Sequence, residues 1–159
     1  MPTLEEAARE FLANKCIAVA GVSRKGGAAA NTIYKRLRKL GYDAYAINPS
    51  ADFVEGDACY PNLKAIERQV DAVIIATPQQ QARAIIEECG GLGIRHVWIH
   101  GVFASPGAPD DAIAAARERG IRLIAGSCPM LFMQPTDPAH RCLRWFRRVT
   151  GKEAKVEGE

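Results

Sequence analysis

The feature that most constrains the fold is a rhythm. Short apolar runs at "CIAVAG" (16–21), "DAYAIN" (43–48), "DAVIIAT" (71–77), "RHVWIH" (95–100) and "RLIAG" (122–126) alternate with stretches whose apolar residues recur at helical spacing. The runs are apolar almost throughout rather than at every second position, which is the pattern of parallel strands covered on both faces. Between them, "ANTIYKRLRKL" places Ile33, Leu37 and Leu40 on one face and Lys35, Arg36, Arg38 and Lys39 on the other, and Gly41 ends it. "PQQQARAIIEECGGLG" follows the third run, with Pro78 in its first turn and Gly90 and Gly91 at its end. "PDDAIAAARERG" follows the fourth, acidic at its start and basic near its end, as a helix dipole favours. Strand, helix, strand in this order predicts an α/β fold: an open, doubly wound parallel sheet of about five strands with helices on both faces. In such a sheet ligands bind at the carboxyl edge where strand order reverses, so the strand ends at Gly21, Asn48, Thr77 and His100 are the places to search.

A chain of 159 residues is long enough for one core without disulfides or metal, so residues 1–159 are expected to form a single domain. A leading helix is expected at about 3–14, a trailing one at about 138–150, and a frayed tail at 152–159. With 48% hydrophobic and 25% charged residues, disordered, collagenous and coiled-coil readings fall away. The net charge of +3 is mild and suits an anionic ligand without requiring nucleic acid. The basic "RCLRWFRR" is explained more simply as a helix packing Leu143, Phe146 and Val149 than as a nucleic-acid contact. No apolar run is long enough to span a membrane, and the acidic start "MPTLEEAAREFL" is unlike a signal peptide. Five cysteines without a C-x-x-C pair fit a reducing compartment, and the expected location is cytoplasmic. Cys128, His140 and Cys142 match no familiar zinc spacing, and no metal site is expected.

The chemistry concentrates in "GVSRKGG". A glycine closing the first strand lets the backbone turn tightly, and the helix that follows offers free amides to a phosphate. The spacing is not G-x-G-x-x-G, since Ser23 stands at the second glycine position, and no G-K-[ST] follows. The second strand ends "AINPSADF", with Asn48 and Pro49 where a nicotinamide dinucleotide site usually carries a ribose-binding carboxylate. With no acid there and Arg24 and Lys25 in the first loop, a nucleotide bearing an extra phosphate near its ribose is favoured. NADP and coenzyme A both satisfy that logic.

"IAVAGVSRKGGAAANTIYKRLRKLGYDAYAINP", "GDACYPNLKAI", "VDAVIIATPQQQARAIIEEC" and "GIRHVWIHGVF" leading to "GIRLIAGSCPMLFM" together resemble the small, stand-alone, Rossmann-like CoA-binding proteins, related to the CoA-binding domain of the succinyl-CoA synthetase α subunit. The resemblance runs from about Leu12 to Gly151. It implies a bound CoA or acyl-CoA, with Gly21, Val22, Ser23, Arg24 and Lys25 as the phosphate-facing loop and Asn48 and Pro49 as a second contact. Ala76, Thr77, Pro78 and Gln79 would form a third contact near the pantetheine path, and Gly101 would close the pocket. The synthetases continue into a second domain with a phosphorylated histidine that this sequence lacks, so thioester synthesis by that route is not expected of this chain alone. The "GGAAANT" stretch is blander than the polar loops of many relatives, so the charge for a 3′-phosphate is expected from Arg24 and Lys25.

Cys128 follows the last strand, where its thiol could meet a CoA thiol in a mixed disulfide. The plainer reading, which we favour, is a buried small hydrophobe. His100 ends the fourth strand at the same edge, the right place for an acid or base, and the sequence by itself identifies no group to act with it. His96 lies within that strand beside Trp98 and reads as structural. No nucleophile elbow or carboxylate pair is visible, so no catalytic residue is assigned and the expected function is binding of CoA or an acyl-CoA without chemistry of its own. The alternatives are an NADP-dependent reductase or redox sensor acting through His100 or Cys128, and a regulatory interaction protein whose nucleotide pocket is vestigial. Pairing into a homodimer and the identity of any protein partner are left open by the sequence.

Overall fold

The computed structural model describes residues 1–101, 108–133 and 155–158. Its elements run α1 (Leu4–Leu12), β1 (Cys16–Ala20), α2 (Ala29–Lys39), β2 (Asp43–Ile47), β3 (Phe53–Val54), β4 (Asp57–Tyr60), β5 (Ala72–Ile75), α3 (Ala82–Gly91), β6 (His96–His100), α4 (Asp110–Glu118), β7 (Arg122–Ser127) and β8 (Lys155–Glu157). All the strands read from the sequence are present, as β1, β2, β5, β6 and β7. They form part of one eight-stranded sheet of order β3-β4-β2-β1-β5-β6-β7-β8. The strands β4, β2, β1, β5, β6 and β7 pair in parallel, while β3 and β8 are antiparallel additions at the two edges. Counted along the chain, the parallel strands lie in the order 3-2-1-4-5-6 of the doubly wound dinucleotide fold.

Alternate residues of each central strand serve two separate cores, which is why the strands read as continuously apolar. Cys16, Ala18, Ala20, Val73, Ile75, Val97, Ile99, Leu123 and Ala125 pack with Ala82, Ile86 and Cys89 of α3 and Ala112, Ala115 and Ala116 of α4. Ile17, Val19, Ile74, Trp98 and Ile124 face the other way, onto Ala7, Ala8 and Phe11 of α1 and Ile33, Tyr34 and Leu37 of α2. Trp98, fully buried, meets Phe11 edge-on at 5.3 Å and donates its indole N–H to the Ser127 carbonyl at 3.1 Å. Burying each such large side chain contributes about 1.5–3 kcal/mol.

The strand pairs β3–β4 and β7–β8 depart from the sequence reading. β3 is two residues long and β4 four, too short for a periodic signal to stand out. The tail expected to fray contains β8: Glu157, Val156 and Lys155 pair with Leu123, Ile124 and Ala125. That pairing satisfies the outer backbone groups of β7, and Glu157 accepts a 2.7 Å ion pair from Arg117 of α4. A solvated end is recognisable from composition, whereas a sheet edge waiting for a partner is not. The expected helix at about 138–150 lies outside the described residues. Among the described residues, no helix is long and apolar enough to cross a membrane.

Candidate functional site

Strand order reverses between β1 and β5. From β1 the chain moves outward through β2 and β4, then returns to start β5 on the other side. At the carboxyl end of this junction lies Gly21, with φ +100°, a conformation L side chains rarely adopt. A Cβ built there would stand 2.5 Å from the Ala76 oxygen and 2.7 Å from its carbonyl carbon. Backbone meets backbone with no room for a methyl group, so Gly21, Ala76 and Thr77 form one tight floor. The Ala76 N–H donates to the Ala20 carbonyl at 2.9 Å and that of Gly21 to Ile47 at 3.3 Å, tying the ends of β1, β2 and β5 together.

The loop leaving this floor is internally fastened. Val22 is completely buried, while Arg24 and Lys25 are exposed. Gly26 and Gly27 take φ +71° and +74°, which lets the chain curl into α2. The Lys25 N–H donates to Ser23 Oγ at 3.2 Å and that of Gly26 to the Ser23 carbonyl at 3.2 Å. Ala28 precedes α2 and gives it no side-chain cap, leaving the first turn to other acceptors. The loop therefore offers what the sequence suggested: tight backbone, a helix N-terminus and two exposed cations.

Asn48 is fastened to the first loop and to its own turn by hydrogen bonds within the protein. Its Nδ2 donates to the Val22 carbonyl at 2.7 Å, its Oδ1 accepts from the Ser50 N–H at 2.8 Å, and its N–H donates to Tyr60 at 2.9 Å. Its side chain thus holds the loop against the end of β2, and exposed Pro49 completes the turn. Thr77 is half-buried and donates its hydroxyl to the Pro78 carbonyl at 3.3 Å. Pro78 precedes a 3₁₀ turn, Gln79–Gln81, that leads into α3. Gly101 lies at the same edge but beyond β6. A Cβ there would stand 2.6 Å from the Gly126 Cα, so it closes the β6–β7 junction against backbone.

Two residues were missed from sequence. Asn31 of α2, 1% exposed, accepts the Ser23 N–H through Oδ1 at 2.8 Å and donates through Nδ2 both to the Ser23 carbonyl and to Glu55 Oε1, each at 2.8 Å. Glu55 sits in the β3–β4 turn at φ +53° and also pairs with Lys35 at 3.7 Å. A carboxylate thus stands beside the first loop, although none follows β2 directly; it is supplied by the next hairpin. The signal available was an asparagine inside an otherwise amphipathic helix, since a polar side chain on a buried face needs partners.

Cys16, Cys59, Cys89 and Cys128 are buried. Burial pushes the Cys16 and Cys59 thiols up, and that of Cys89 up to about 12. Cys128, 6% exposed, directly follows β7 and opens the 3₁₀ turn Pro129–Leu131. No group of three or more metal-ligating side chains occurs among the described residues, and His140 and Cys142 lie outside them.

A parallel sheet of this order, with a glycine turn, an uncapped helix and two cations at its switch point, defines a Rossmann-like domain of the nucleotide-binding class. The chain belongs to the CoA binding domain family, whose profile matches residues 15–134. It is 32% identical over 148 residues to an ADP-forming acetate–CoA ligase I of Archaeoglobus fulgidus, covering 89% of this chain and 21% of that protein. With an ADP-forming acetate–CoA ligase of Methanocaldococcus jannaschii it shares 29% over 118 residues, covering 72% of this chain and 17% of that one. The chain thus spans about a fifth of the length of the curated relatives it matches. Among solved structures it is similar to a hypothetical protein from Pyrococcus horikoshii, with a TM-score of 0.74, 28% identity, and coverage of 89% of this chain and 93% of that one.

Proposed function

We propose that this chain binds coenzyme A or an acyl-CoA at the β1–β5 junction. The diphosphate would lie on the amides after Gly21 and at the start of α2, and Arg24 and Lys25 would meet the 3′-phosphate. Ala76, Thr77, Pro78 and Gln79 would guide the pantetheine arm, and Gly101 would bound the far side. The observation that carries this reading is the meeting, at the switch point, of the Gly21 turn at φ +100°, the start of α2 with no side-chain cap, and exposed Arg24 and Lys25. Membership of the CoA binding domain family supports the choice of nucleotide. The function is recognition, and no step of chemistry is assigned.

Calorimetric titration with CoA, acetyl-CoA, dephospho-CoA, NADPH and NADH tests it. CoA and acetyl-CoA are expected to bind most tightly, and NADPH binding more tightly than CoA would replace this reading with the nicotinamide one. Replacing Arg24 and Lys25 together by Ala should weaken CoA about tenfold more than dephospho-CoA, because a charge-assisted contact contributes about 1.5–3 kcal/mol. Equal losses for the two ligands would remove these residues from the 3′-phosphate.

A further inference from the structure

The β3–β4 hairpin is fastened to α2 by a polar seam that climbs the helix one turn at a time. At its foot, Arg38 pairs with Asp57 and donates to the Tyr34 hydroxyl at 3.1 Å, while that hydroxyl donates to Asp57 at 2.9 Å. Higher up, Lys35 pairs with Glu55. At the top, Asn31 donates to Glu55 and closes a two-point clasp on the Ser23 peptide group. Asn31, Tyr34, Lys35 and Arg38 recur at intervals of three or four, so a single face of α2 carries the whole seam.

Two observations show that the top of this seam is built for position. Glu55 is the one non-glycine residue in the left-handed region among those described, and a glycine there would relieve that strain. The side chain kept at that cost reaches the buried amide that fixes both polar atoms of the Ser23 backbone. We propose, on the reading that the loop seats a CoA phosphate, that Glu55 is a positioning residue. Through Asn31 it holds residues 21–27 in their binding conformation before ligand arrives, so that less ordering is left for the binding step. Glu55 does this as a hydrogen-bond acceptor; its charge is met by Lys35.

The test separates positioning from folding. Glu55→Gly relieves the backbone, which offsets part of the lost hydrogen bond to Asn31, and should leave the protein cooperatively folded with a melting temperature lowered by only a few degrees. It should nevertheless raise amide hydrogen exchange of Ser23, Lys25 and Gly26 about tenfold in the ligand-free protein, and weaken CoA and dephospho-CoA by the same factor of about five to ten. Glu55→Gln retains the acceptor and should restore both readouts to near the parent values. Unchanged loop exchange in Glu55→Gly, or a Gln variant as loose as the Gly variant, would overturn the proposal. The exchange measurement needs no ligand, so a parent protein that failed to bind CoA would sink the proposed function and still decide the role of Glu55.

Discussion

At the scale of single residues, Gly21 and Asn31 make opposite demands. Gly21 is defined by what cannot be there: φ +100° and a carbonyl oxygen 2.5 Å from any Cβ. Gly21→Ala should therefore destabilise the fold by about 2–4 kcal/mol, as a shifted urea midpoint, since the strained backbone and the forced separation of β1 from β5 act together. A change below about 0.5 kcal/mol would show that the floor is slack. Asn31 is defined by what it must reach, with three hydrogen bonds from one buried amide. The glycine turn was legible in the sequence because glycine after a strand has few other uses. The asparagine was not, because its partners Ser23 and Glu55 are 8 and 24 residues away and become neighbours only when the hairpin folds back on α2.

At the scale of elements, local chemistry accounts for the start of α1 and for the ends of α2, α3 and α4, which Gly41, Gly93 and Gly120 follow at positive φ. α1 begins with a complete capping box: the Glu6 N–H donates to Thr3 Oγ1 at 3.2 Å, and the Thr3 N–H donates to Glu6 Oε2 at 2.8 Å. Thr3→Ala should cost about 1 kcal/mol, read as a lower denaturation midpoint, with no change in CoA binding because the hydrogen bonds of Thr3 reach only Glu6 and Ala7 of α1. An unchanged midpoint would mean that α1 is held by Phe11 and its packing alone. α2 offers the contrast. It follows Ala28 with no side-chain cap, and its stability comes from its buried face and the seam to β3–β4. The strands divide the same way: long central runs declare themselves by apolar continuity, whereas β3, β4 and β8 exist because a neighbouring edge has hydrogen bonds to offer.

At the scale of the whole molecule, titration should report how the layers are joined. Burial holds His96, at the start of β6, below the ordinary imidazole range, with Asp71 pulling weakly the other way. The unfolded chain then binds that proton more readily, so stability is lost as pH falls from about 6.5 toward the depressed folded value. Asp57 is held low first by the hydrogen bond from Arg38, so its contribution is present above about pH 4 and lost as pH falls below it. Urea midpoints at about pH 7.5, 5.5 and 3.5 should decline in two stages, with His96→Gln flattening the upper one and Asp57→Asn the lower. A midpoint constant from neutral pH to 5.5 would contradict the buried histidine. Periodicity, composition and glycine placement, read from the sequence, determined the α/β class, the strands from β1 to β7 with long apolar runs, and the edge at which the site is proposed. Only the tertiary structure decided the edge strands, the two-faced division of the core, and the clasp from Glu55 through Asn31 to Ser23. The physical reason is range: apolar burial and turn chemistry act between near neighbours in the chain, while hydrogen bonds between distant segments depend on which surfaces the completed sheet brings within about 3 Å.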